Sequence, residues 1–223
     1  MSAEKEDIVV RSTEQVLNDV LKDLDGVLNI KSSDIPNIDL YMDQVLSFLE
    51  DKLKCTKRNL SEEDEKILTK TMINNYAKND LLPPPVKKKY SKEHMMVLIF
   101  IYYFKNFLSI SDIQTMIKPI TDEYFDSEGN LSLEDLYSEI FNLGGDRIPL
   151  LKEDLIDKYK SSLDAFPEVS GEDGDYLRLF TYICYLSYDI FIKKLLVEQL
   201  IDEVRNKEIL REQKHKNKGD KKK

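Results

Sequence analysis

Glycine and proline are scarce in this chain, with seven of each among 223 residues, and tryptophan is absent. A β-rich fold needs turn residues between many short strands, and no run of alternating apolar and polar residues appears, so sandwich and barrel architectures are excluded and a mainly helical fold is expected. The only cysteines, Cys55 and Cys184, lie far apart with no CxxC pair, which excludes a disulfide framework and a cysteine zinc site. No apolar run is long enough to span a bilayer. Met95–Phe104 and Leu179–Tyr188 end at Lys105 and Asp189, about half of the roughly 20 residues a span requires. The acidic start MSAEKEDIVV has no secretory apolar region. The expected location is cytoplasmic.

Enzyme motifs are missing too. There is no phosphate-binding glycine loop, GxGxxG, HExxH or GxSxG, and the two histidines, His94 and His215, are isolated. No catalytic group, cofactor or metal site is expected, and the protein is not expected to be an enzyme. Asp126 to Asp135 imitates a calcium loop around Gly129, but Tyr124 would occupy its first position and Asp135 its last, where a bidentate Glu belongs. Turn and helix-cap chemistry accounts for the same residues.

What the chain has is charge, very unevenly placed. The net formal charge is −9, yet Thr69–Lys92 holds six lysines against the single acid Asp80. Within that segment, helical spacing puts Met72, Ile73 and Tyr76 in one arc and Lys70, Thr71, Asn74, Asn75 and Lys78 in the opposite one. The second face contains no carboxylate. Its amides suit the edge of adenine, and its ammonium groups suit phosphate or guanine. Exposed charges more than roughly 8 Å apart are screened at physiological ionic strength, so a local basic face can meet DNA on an acidic protein. Pro83, Pro84 and Pro85 fix the backbone and stop this helix, leaving Val86–Tyr90 extended. A rival use of PPPVKKK is as a polyproline II ligand, but Leu81, Leu82 and Tyr90 have the look of core anchors.

The order helix (Thr69–Tyr76), Leu81-Leu82-Pro83, Lys87-Lys88-Lys89-Tyr90 and a new helix from Ser91 resembles the winged helix-turn-helix of MerR-type regulators over roughly residues 34–121. The phrases IDLYMDQV, LTKTMINNY, LLPPPVKKKY and SKEH are similar to an uncharacterised bacterial "domain of unknown function" family that shares this module. The resemblance implies a MerR-like fold with a small wing and double-stranded DNA as partner, and it implies no effector. MerR proteins usually carry arginines where this chain has Asn74, Asn75 and lysines. The candidate DNA-binding residues are Lys70, Thr71, Asn74, Asn75, Lys78, Lys87, Lys88, Lys89, Tyr90 and Lys92.

Around this segment we expect an N-terminal helical part (1–33), the winged domain (34–121), a helical C-terminal domain for dimerisation or sensing (122–210) and a basic disordered tail (211–223). Asp39 is the expected cap of a helix to Leu53. Ser61–Asp64 opens another that runs into Leu68, and Ser91 caps one to Leu108. A short helix from Ser109 stops at Pro119, and others cover Leu133–Leu143, Leu150–Ala165 and Tyr176–Leu210. In the last helix, the wide apolar face of Leu179–Phe191 suits a domain core, and the narrower stripe through Leu195, Leu196, Leu200, Ile201 and Val204 suits a partner helix. A homodimer is expected, in keeping with palindromic DNA sites. The expected function is therefore sequence-specific transcriptional regulation, the alternative being a protein-interaction module that keeps the winged-helix shape.

Overall fold

The computed structural model describes residues 10–27, 30–54, 67–127 and 129–220. Helices dominate: α1 (Thr13–Val27), α2 (Met42–Leu53), α3 (Lys70–Lys78), α4 (Lys92–Lys105), α5 (Ile110–Tyr124), α6 (Leu133–Asp146), α7 (Ile148–Leu163) and α8 (Gly171–Asp220). A 3-10 turn covers Ser32–Asp34, and β1 (Leu40–Tyr41) and β2 (Lys89–Tyr90) form an antiparallel pair.

α4 is the core. Every residue from His94 to Tyr102 is buried, because a helix apolar on all sides must be covered on all sides. α5, α6 and β2 cover it. Phe100 meets Tyr137 and Phe141 of α6 at ring centroid separations of 5.5 and 5.7 Å. The Tyr137 hydroxyl donates to the Ile30 carbonyl at 2.7 Å, tying α6 to the chain before the 3-10 turn.

Several boundaries differ from expectation for identifiable reasons. α2 starts at Met42 rather than at Asp39, because Leu40 and Tyr41 pair with Tyr90 and Lys89 as strand. The Gln44 side chain then accepts the Tyr41 N–H at 2.9 Å. The small sheet thus joins the chain before α2 to the chain after the proline run, and is not confined to a wing hairpin. Ile67 and Leu68 are buried but not helical; the expected helix start at Ser61–Asp64 lies outside the described residues. α5 continues through Pro119 to Tyr124, since buried Ile113 and Ile117 hold its face against the core while proline removes only one backbone bond. α6 likewise runs through Gly144 and Gly145, and Pro149 in the first turn of α7 suits a helix start. At Gly174 an added Cβ would come within 2.3 Å of the Val169 carbonyl, so glycine lets the start of α8 close on the loop before it.

α8 is longer than expected at both ends, and burial is distributed along it differently from expectation. The backbone stays helical to Asp220, which includes most of the basic tail; Lys221–Lys223 lie outside the described residues. In its second half the expected partner-facing stripe divides: Ile201 is buried, Val197 packs against the core and Arg205 Nη2 meets Asp112 Oδ1 of α5 at 2.9 Å, whereas Leu195, Leu196 and Leu200 stay exposed. Its first half, expected in the core, touches α7 through Tyr182, whose hydroxyl donates to the Leu155 carbonyl at 3.1 Å, and through Lys158 and Asp189 at 2.9 Å. The rest of that half is largely exposed.

Candidate nucleic-acid interface

α3 begins where Thr69 accepts the Met72 N–H at 3.1 Å, satisfying one free donor of the first turn. Ile73 and Tyr76 are buried and Met72 packs against the core, while Lys70, Thr71, Asn74, Asn75 and Lys78 are exposed. The two faces read from spacing are therefore the two faces of the folded helix. It ends in a left-handed residue, Asp80 (φ 54°), and the Leu81 N–H returns to the Tyr76 carbonyl at 2.9 Å. Leu81 and Leu82, each 1% exposed, then lock the exit into the core.

After the three prolines, Val86 and Lys89 pair across a tight turn, with the Lys89 N–H donating to the Val86 carbonyl at 2.9 Å. The two residues between them, Lys87 (φ 50°) and Lys88 (φ 64°), are both left-handed. That is the geometry of a type I′ turn, which normally selects Asn-Gly. Two lysines there cost about 1–2 kcal/mol each relative to glycine, and both side chains are exposed. Sequence reading missed this tip because nothing in three consecutive lysines signals positive φ.

The start of α2 connects this turn to α3. Lys89 Nζ lies 5.3 Å from the centroid of the Tyr41 ring, and Lys70 Nζ pairs with Asp43 Oδ1 at 2.8 Å. Tyr41 and Asp43, absent from the sequence-based candidates, thus carry one lysine from each side and make the two basic segments neighbours. Lys78, Lys87 and Lys88 have no ion pair among the described residues.

Two candidates stand apart. Tyr90 is buried and meets His94 edge to face at 5.5 Å, its hydroxyl pushed above the ordinary tyrosine value by burial. Lys92 Nζ pairs with Glu134 Oε1 at 2.6 Å, with only 17% of its side chain exposed. Both hold the base of the turn onto the core. His94 does the same from beneath. Its Nδ1 accepts the Ser91 N–H at 3.0 Å, the place of Glu or Gln in a capping box, and its ring packs edge to face on Phe125 at 4.8 Å. Burial lowers the His94 pKa, opposed by the Pro84 and Pro83 carbonyls and the carboxylates of Asp126 and Asp39, and Nε2 is buried without a well-formed hydrogen bond.

Elsewhere, a cleft of about 810 Å³ opens between the Ile30–Ser33 segment and α6 and α7, lined by Phe141, Asn142 and Lys152 among others. No residue of α3 or of the Val86–Lys89 turn lines it. Among the described residues no cluster of potential metal ligands occurs, and no helix is long and apolar enough to cross a membrane.

No curated protein and no solved structure matches the chain. Residues 30–140 match the family model described as Domain of unknown function (DUF1836). The α3 surface, the lysine turn and the buried helix α4 beneath them therefore all lie within a DUF1836 domain.

Proposed function

We propose that this chain is a sequence-specific, double-stranded DNA-binding transcriptional regulator whose α3 enters the major groove. The observation that carries the reading is the exposed, carboxylate-free face of Lys70, Thr71, Asn74, Asn75 and Lys78 beside the strained, exposed tip of Lys87 and Lys88. Strain held at a surface tip is retained where the surrounding structure enforces it, and such sites cluster where ligands are gripped. Among the described residues, the succession strand, helix, helix, tight turn with strand, and buried helix (β1, α2, α3, β2, α4) supports a MerR-like winged helix-turn-helix in which Val86–Lys89 is the wing tip.

In this reading Asn74 and Asn75 read base edges, and Lys78, Lys87 and Lys88 hold phosphate. Lys70 reaches phosphate by exchanging its exposed partner Asp43, a pair worth little in water. Lys89 braces the wing against Tyr41, while Lys92 and Tyr90 anchor it. A selection from random duplexes tests the division of labour. Asn74→Ala with Asn75→Ala should change the recovered sequence, whereas Lys87→Ala with Lys88→Ala should lower recovery of all sequences alike. Equal losses on selected and random duplexes for both variants would contradict the roles. The alternative, an interaction module for another protein, draws on the net charge of −9 and on Asp43 and Asp80 flanking the face; it is favoured if no duplex is retained even at low salt.

A further inference from the structure

We infer that the first half of α8 pairs antiparallel with the same segment of a second copy of this chain. Asp173, Tyr176, Phe180, Ile183, Ser187, Ile190 and Lys194 recur at alternating spacings of three and four, the seam of a two-helix coiled coil. All seven are exposed, the four large apolar ones between 49% and 66%. Leu179 and Phe191 flank them and are exposed as well.

Three observations choose a second copy as the occupant. The first is area. Six half-exposed apolar side chains of this size present on the order of 700 Å² per chain, close to the about 800 Å² each partner buries in a standard stable interface. The second is charge. The seam begins with an acid, Asp173, and ends with a base, Lys194. Antiparallel pairing brings each lysine over the Asp173–Tyr176 end of the other copy, whereas parallel pairing would stack like charges. The third is the one polar residue in the middle. The Ser187 hydroxyl already donates to the Ile183 carbonyl at 2.8 Å, so it can be covered without leaving its proton unbonded. A membrane surface fits poorly, because the flanks of this half carry Glu172, Asp175 and Asp189 against Arg178 and Lys193 and so are not basic, whereas surface-seeking helices are usually basic on the polar face. The pairing does not require that the protein bind DNA.

Sedimentation of the whole chain at micromolar concentration tests it. The wild type should sediment as two copies, and Phe180→Asp or Ile183→Asp should weaken association about 30-fold or more, the scale of losing one central anchor. The helix signal in far-ultraviolet circular dichroism should persist, since both side chains are outside the monomer core. Asp173→Lys and Lys194→Asp should each weaken the dimer and together restore it; parallel pairing predicts no rescue. A wild-type monomer, whether bare or bound to a lipid vesicle or another protein, would overturn the inference, as would unchanged association in both aspartate variants.

Discussion

α4 and the first half of α8 are the two most apolar helical stretches of the molecule, and they have opposite surroundings. Residues His94–Tyr102 of α4 are all buried, whereas Tyr176, Phe180, Ile183, Tyr188, Ile190, Phe191 and Ile192 of α8 are each about half exposed or more. Covering a helix on every side takes several neighbours. α4 finds them in α5, α6 and β2, whereas the early part of α8 has α7 on one side. The contrast teaches that all-round apolarity states a demand for cover without stating which chain supplies it. The demand is met within the chain at α4, and at α8 we assign it to a second copy.

That comparison can be broken by a graded series of substitutions. Leu98→Ala in α4 should be the most damaging, costing about 2–5 kcal/mol in urea unfolding, because the site is fully buried. Ile201→Ala, in the docked half of α8, should cost about 2–4 kcal/mol by the same mechanism. A loss under 1 kcal/mol at Ile201 would mean that α8 is not held on α5 in solution.

His94 sharpens the α4 side. Its folded pKa lies below the ordinary histidine value, so the unfolded chain takes up the proton first as pH falls. The stability contributed by neutral His94 is present above about pH 6.5 and is lost as pH drops towards the lower folded value, at roughly 1 kcal/mol per pH unit. His94→Gln keeps the cap and cannot titrate, so its urea midpoint should be flatter with pH across that window. Burial raises the Glu93 carboxyl above its ordinary range, which acts with the opposite sign, but it is present in both proteins and cancels in the difference. The smallest effect belongs to Ile183→Ala. Measured at concentrations low enough to hold the chain as monomer, it should change unfolding stability by less than about 0.5 kcal/mol; a loss as large as that of Leu98→Ala would show that this part of α8 has cover within its own chain.

The sequence made legible what local periodicity controls. The two faces of α3, the anchors Leu81, Leu82 and Tyr90, the Ser91 cap and the burial of α4 all follow from residue spacing within a few turns. The Leu40–Tyr90 pairing did not, because two strands of two residues each carry no alternation. The left-handed Lys87 and Lys88 were hidden because lysine does not favour that conformation and the fold imposes it. Pro119, Gly144 and Gly145 signalled helix ends that packing overrode. The contacts Lys70–Asp43, Lys89–Tyr41 and Lys92–Glu134 join residues too distant in sequence to be paired by pattern, yet they separate the lysines that lie open from those that brace the fold.

The most direct test of the central claim is the salt dependence of binding to a short double-stranded DNA, wild type beside Lys87→Gly with Lys88→Gly. The account predicts that log affinity falls with log salt at a slope of about −4 per chain from Lys70, Lys78, Lys87 and Lys88, reduced in magnitude by about 2 in the variant. The same variant should unfold at higher urea concentration, because glycine relieves the left-handed positions, so a loss of binding would not be a loss of fold. No binding by the wild type at low salt, or equal slopes for the two proteins, would contradict the assignment of this surface to DNA.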